Sequence, residues 1–217
     1  LFETVIDKGM DSEDSKVLNC VATAKKYLPV CYQGVGLSAA SQKNYPKAIE
    51  YLTKAAEIAE LYGNTPAKTK ANTILAKVYQ VQGGTYFNAG DFAKAIEVFA
   101  KGYSADKKNT ALAMMLAESY FKSNNYAEGV KVCAEVAALP SPKYDAAIAE
   151  AKAKMGQYTN NKIAELQKAN DFDGIIAMSE TIADKALAQK VLVQAYFLKK
   201  DYAKVIELGE AAAALQT

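Results

Sequence analysis

Apolar residues recur along this chain at steps of three and four, the spacing that places side chains on one face of a helix. One phrase repeats five times: a helix-capping Asn or Asp, an aromatic, then apolar residues at helical spacing. It stands at Asn44-Tyr45, Asp91-Phe92, Asn125-Tyr126, Asp171-Phe172 and Asp201-Tyr202. Three residues after each aromatic come Ala48, Ala95, Gly129, Ile175 and Val205, and four after come Ile49, Ile96, Val130, Ile176 and Ile206. Six after come Tyr51, Val98, Val132, Met178 and Leu208, and ten after come Ala55, Gly102, Val136, Ile182 and Ala212. Each phrase therefore predicts the N-terminus of a helix with one apolar stripe.

A second helical pattern precedes each phrase. Six residues before the aromatic stand Ala39, Tyr86, Tyr120, Leu166 and Tyr196. Gly36, Gly83 and Ala117 fall one turn earlier in the first three units, where small residues let two helices approach closely. Short polar runs such as Lys122-Ser-Asn-Asn125 join the two patterns, so each unit predicts helix, tight turn, helix. Such units cannot bury an apolar face alone and must stack on their neighbours. The aromatics lie 47, 34, 46 and 30 residues apart. The two longer spacings have their extra residues in Ala67 to Gln82 and Tyr144 to Tyr158, which predicts first helices lengthened by some three turns, roughly 18 Å.

Composition narrows what such a stack does. With 217 residues, 51% of them hydrophobic, the chain has the material for a substantial core. It contains no His, and all 26 basic residues are Lys. The commonest acid–base group and metal ligand near neutral pH is missing, as is the planar fork that grips carboxylate or phosphate. The net charge is +2, and Lys alternates with Glu and Asp along the helices, so no nucleic-acid footprint is expected. No apolar stretch approaches the length of a membrane span. Cys20, Cys31 and Cys133 show no metal or disulfide spacing and read as free thiols acting as small apolar packers. Two weaker signals carry little. Gln82-Gly83-Gly84-Thr85 lacks the strand and the Lys of a phosphate cradle, and the acid pairs Glu57/Glu60 and Asp171/Asp173 are ordinary for helix surfaces and first turns. No catalytic residue, cofactor or metal site is expected, and the chain reads as non-enzymatic.

These units resemble the tetratricopeptide repeat, whose period is 34 residues. The resemblance is carried by Tyr32, Val35-Gly36, Tyr45, Ala48 and Ala55; by Tyr79, Gly83, Tyr86, Phe92, Ala95 and Phe99; and by Leu116-Ala117, Tyr120, Tyr126 and Leu139-Pro140. The last two units keep the frame but lose the small residues. The resemblance implies an all-α fold, a right-handed superhelix of about five helix-turn-helix repeats in one solenoid domain over 1–217. The repeats run roughly 14–62, 65–105, 109–140, 142–183 and 185–217, with 1–11 as the remnant of a preceding second helix. The Ala- and Lys-rich, Arg-free helices also resemble exported Bacteroidetes-type repeat proteins. That likeness points to a periplasmic location, while three free thiols suit the cytoplasm. Both ends look cut: residues 1–6 read as the last turns of a second helix, and Ala211 to Leu215 as an uncapped apolar one.

In this family the first helices line a concave surface that holds partners. One known mode there uses a Lys-Asn pair, on consecutive first helices, to clamp a C-terminal carboxylate. The matching places hold Gln33 and Leu37, Gln80 and Gly84, Met114 and Glu118, and Lys190 and Gln194, so that mode is not expected. An aromatic doublet recurs instead: Tyr86-Phe87, Tyr120-Phe121 and Tyr196-Phe197. The resemblance implies that each Phe faces the groove, partly exposed, and that with Met114 they form an apolar strip. The competing reading packs each Phe against the neighbouring first helix. The expected binding residues are therefore Gln80, Phe87, Met114, Glu118, Phe121, Lys190, Gln194 and Phe197. The resulting reading is an interaction scaffold binding a peptide or protein on its concave surface. The alternative is an assembly module that acts through homotypic or end-to-end contacts.

Overall fold

The computed structural model describes the backbone of residues 1–182 and 184–214, with side chains to Glu210. Ala212 and the Ala211 to Leu215 run therefore lie outside the described side chains. The described residues form eleven helices and no strand. They are α1 Phe2–Gly9, α2 Ser15–Ser41, α3 Tyr45–Leu61, α4 Thr65–Asn88, α5 Phe92–Ala105, α6 Thr110–Lys122, α7 Tyr126–Ala137, α8 Asp145–Lys168, α9 Phe172–Ser179, α10 Lys185–Leu198 and α11 Tyr202–Ala214. The fold class is all-α, and every repeated phrase opens a second helix where the pattern places it. The lengthened first helices are also real: α4 and α8 each run unbroken for 24 residues.

One device builds the turns. The side chains of Asn44, Asp91, Asp171 and Asp201 accept from the backbone N–H three residues on, satisfying a donor that the helix start leaves unpaired. The residue before each cap is left-handed: Lys43, Gly90, Asn124, Asn170 and Lys200 all have positive φ. That conformation lets the cap's own N–H return to a carbonyl of the preceding helix. Asn44 reaches Ala39, Asp91 reaches Tyr86, Asn125 reaches Tyr120, Asp171 reaches Leu166 and Asp201 reaches Tyr196. One helix is closed and the next opened within about three residues. At Asp91, the Lys94 ammonium and backbone N–H hold the carboxyl below its ordinary range.

The chain divides into two compact units, Leu1–Val132 and Cys133–Thr217. In unit 1, successive helices from α1 to α6 pack pairwise, and α2 with α4 and α4 with α6 touch as well. The core contains Ala39, Ala48, Leu52, Leu75 and Val78, and a second cluster sets Ile6 of α1 against Ala24 and Leu28 of α2. In unit 2, α8 packs on α9, α9 on α10 and α10 on α11, around Ile175, Val191 and Ala195.

The buried stripe differs from the sequence pattern at one place. The deepest second-helix residues include those seven after the aromatic: Leu52, Phe99, Cys133 and Ser179 are all buried. Of these, Leu52 and Phe99 fill the small positions of their first helices. A Cβ on Gly36 would lie 2.7 Å from Leu52 Cγ, and one on Gly83 would enter the Phe99 ring. Close helix approach at the first two small positions is thus what the sequence predicts, and it accounts for Gly83 of the Gly83-Gly84 pair. The cysteines correct their expectation in part. Cys133 is a buried packer, but Cys20 and Cys31 are exposed, because they lie on the solvent side of α2.

Candidate functional site

The eight expected binding residues all lie on first helices, five in one compact unit and three in the other. Gln80 and Phe87 on α4, and Met114, Glu118 and Phe121 on α6, belong to unit 1; Lys190, Gln194 and Phe197 on α10 belong to unit 2. In unit 1, Gln80 donates through Nε2 to the Met115 sulfur at 3.6 Å. Next to it, Gly84 leaves room for the Met115 methyl, 3.9 Å from where a Cβ would stand. Met115 is thus the half-exposed methionine of this face, and Met114 is buried. The two differ by about 100° of helix, so a register error of one residue exchanges groove for core. Gln33, at the place matching Gln80, is buried and donates to the Ala67 carbonyl at 2.7 Å. It ties α2 to α4.

The Phe of each doublet packs across its turn. Phe87 meets Phe92 edge-on at 5.4 Å between ring centroids, Phe121 meets Tyr126 at 5.9 Å, and Phe197 meets Tyr202 edge-on at 5.9 Å. What remains for solvent varies in order with the residue three after the aromatic. At Gly129 the Phe121 ring sinks into the notch, 2.6 Å from a notional Cβ, and Phe121 is 8% exposed. Opposite Ala95, Phe87 is half-buried, and opposite Val205, Phe197 is 57% exposed. The expectation that all three Phe residues present an open surface is corrected for Phe121, and Gly129 is the physical reason.

Lys190, Gln194 and Phe197 do come together. With Gln189, Val193, Val205, Leu208 and Gly209 they line an open groove of about 540 Å³ between α10 and α11. Its floor is aliphatic, its rim polar, and Gln189 Nε2 donates to the Leu208 carbonyl at 3.1 Å across it. Sequence reasoning missed Val193 and Gly209. Their signal is an exchange of sizes, with Val193 where Gly83 stands in α4 and Gly209 where Phe99 stands in α5. Leu37 and Val81, two further apolar first-helix residues, are each 55% exposed.

Several titratable groups have structural partners. Burial pushes the phenols of Tyr79 and Tyr120 up, so both stay neutral framework groups. Asp171 caps α9, Asp173 pairs with Lys199, and Glu60 pairs with Lys68. Among the described residues, no three His, Cys, Asp or Glu are grouped so as to hold a metal ion, and no helix is long and apolar enough to cross a membrane.

Residues 86–155 match the family model for the tetratricopeptide repeat. Solved structures similar to this chain include MamA, 17% identical over 85% of this chain and 89% of that one, with a TM-score of 0.37. They also include the tetratricopeptide-repeat domain of P58(IPK), 11% identical over 99% of this chain and 59% of that one, with a TM-score of 0.40. No curated protein gives a significant match. The matched residues span the end of α4, all of α5 to α7 and the first turns of α8.

Proposed function

We propose that this chain is a non-enzymatic interaction scaffold whose first-helix faces bind a peptide or protein. The carrying observation is that Leu37 of α2 and Val81 of α4, large aliphatic side chains in mid-helix, stand 55% exposed. Apolar side chains held in water by a rigid helix are ready anchors, because they add contact area without ordering a loop. Gln80 and Phe87 of α4 and Glu118 of α6 supply polar and aromatic contacts in unit 1, and Lys190, Gln194 and Phe197 of α10 do so in unit 2. Proteins built on this repeat generally mediate protein–protein interactions, which supports the same reading.

The test is selection of peptides from a displayed random library on the immobilised chain. Selected peptides are expected to weaken roughly tenfold or more on Leu37→Asp or Val81→Asp, since each puts a charge into the apolar contact. Ile206→Asp, at an exposed second-helix position, should leave them unchanged. Recovery of no peptide, or of peptides indifferent to both changes, rejects the reading.

A further inference from the structure

The first helices α2 and α4, of 27 and 24 residues, carry six lysines and no Asp or Glu, in a chain with 24 acidic residues. The acids of this half stand instead on second helices, as Glu50, Glu57 and Glu60 on α3 and Glu97 on α5. Two of the six lysines are engaged with that second layer. Lys68 pairs with Glu60 at 2.6 Å, and the Lys25 ammonium lies 5.5 Å from the centroid of the Tyr62 ring. Lys70 and Lys77 are exposed, and among the described residues no carboxylate pairs with them.

Helix α4 turns these two lysines towards one face. Lys70, Lys77 and Val81 lie within about 40° of one another around the helix. They stand opposite Leu75, Tyr79 and Gly83, which pack on α3 and α5. The flanks of α4 meet α2 through the Gln33–Ala67 bond and α6 through the Gln80–Met115 bond. The face is thus bounded by helices of its own unit. Leu37 of α2 and Lys70 of α4 each stand about one turn beyond the Gln33–Ala67 contact, at one height along the two helices. Both lysines fall in Ala67 to Gln82, the stretch that lengthens α4.

We propose that this face takes an acidic amphipathic segment of a partner protein, with apolar side chains on Leu37 and Val81 and carboxylates on Lys70 and Lys77. Charge complementarity selects that occupant. A neutral peptide would leave both ammonium groups without partners, and a polyanion lacking apolar groups would leave Leu37 and Val81 in water. Seven residues of helix set the lysines about 10 Å apart. Acidic residues three apart in an extended segment, or seven apart in a helical one, match that span. Val81 lies about 6 Å beyond Lys77, so an apolar side chain follows the second carboxylate. Glu118 on α6 disfavours acids over that helix, which keeps them over α4. Neither lysine stands at a place of the Lys-Asn clamp, so internal side chains are read here, not a chain end. The proposal rests on the reading of first-helix faces as binding surfaces and gives the partner's chemistry in unit 1.

Peptides selected from the displayed library on the full chain are the probes. They should carry more Asp and Glu than the starting library, interspersed with apolar residues. Lys70→Glu combined with Lys77→Glu should weaken them roughly tenfold or more, and the difference should shrink as salt rises. Lys131→Glu combined with Lys152→Glu changes net charge equally at exposed places on α7 and α8 and should leave affinity unaltered. Circular dichroism checks that both double variants fold. Exchanging the peptide acids for Lys should restore binding to the Lys70/Lys77 variant and abolish binding to the wild type. Peptides that need Leu37 and Val81 but ignore Lys70 and Lys77 overturn the proposal and leave the scaffold reading standing. Displacement of the peptides by an equal concentration of polyglutamate or single-stranded DNA also overturns it, since charge alone would then account for binding. Recovery of no peptide rejects both readings.

Discussion

The helix pairs α4–α5 and α10–α11 share one frame and reach opposite outcomes. Both have an aromatic doublet, a left-handed turn residue, an Asp cap and an aromatic opening the second helix. In α4–α5 the first helix carries the notch, Gly83, and the second carries the knob, Phe99, which is wholly buried. In α10–α11 the sizes are exchanged, and among the described residues nothing stands within 4 Å of a notional Cβ on Gly209. Around it Tyr202, Ile206 and Phe197 are exposed where Phe92, Ile96 and Phe87 are half-buried. The frame sets helix order and turn geometry. Packing depends on a second condition, that the knob on one helix finds a notch on the other.

The largest effect should come from removing the knob. Phe99→Ala is expected to cost about 3–5 kcal/mol, as for a large side chain lost from a packed core, read by denaturant unfolding. A cost below about 1 kcal/mol would mean that α4 and α5 close over the cavity and that the notch is not specific. The sharper contrast is one substitution made in both pairs. Gly83→Ala drives a Cβ into the Phe99 ring and should destabilise by about 1–3 kcal/mol. Gly209→Ala meets nothing within 4 Å and removes a flexible residue from a helix interior, so it should stabilise α11 by about 0.5–1 kcal/mol. Amide hydrogen exchange within each pair reads both. Equal signs at the two glycines would break the comparison.

Much of this arrangement is legible in the sequence, for identifiable reasons. Caps, turns and helix starts are local chemistry, and Asn44, Asp91, Asp171 and Asp201 do what their positions require. Gly36 and Gly83 announce close approach because little else explains glycine inside a helix. The position seven after the aromatic is harder to read, since it holds Leu52, Phe99, Cys133, Ser179 and Gly209, which share no hydrophobic character. The site was least legible. Phe87, Phe121 and Phe197 have the same register, yet Phe121 is buried because its ring enters the Gly129 notch across the turn, a contact between helices that no single-helix pattern contains. Met114 and Met115 were exchanged for a similar reason, because the contacts that single out Met115 come from Gln80 and Gly84 on another helix.

The smallest effect sharpens the comparison at the turns. Gly90 closes α4 in the left-handed region at φ 77°, and Lys200 does the same for α10 at φ 65°. A side chain there crowds the following carbonyl by about 1–2 kcal/mol, while glycine adds a smaller entropy cost by loosening the unfolded chain. Lys200→Gly should therefore stabilise α10–α11 by roughly 0.5 kcal/mol, read as slower amide exchange across that turn. Its side chain has no part in the cap, since the bond that closes the turn runs from the Asp201 N–H to the Tyr196 carbonyl. If Lys200→Gly instead speeds exchange, the lysine side chain supports the turn. The poor packing of this pair would then reflect the Val193–Gly209 size exchange alone, with no share owed to turn strain.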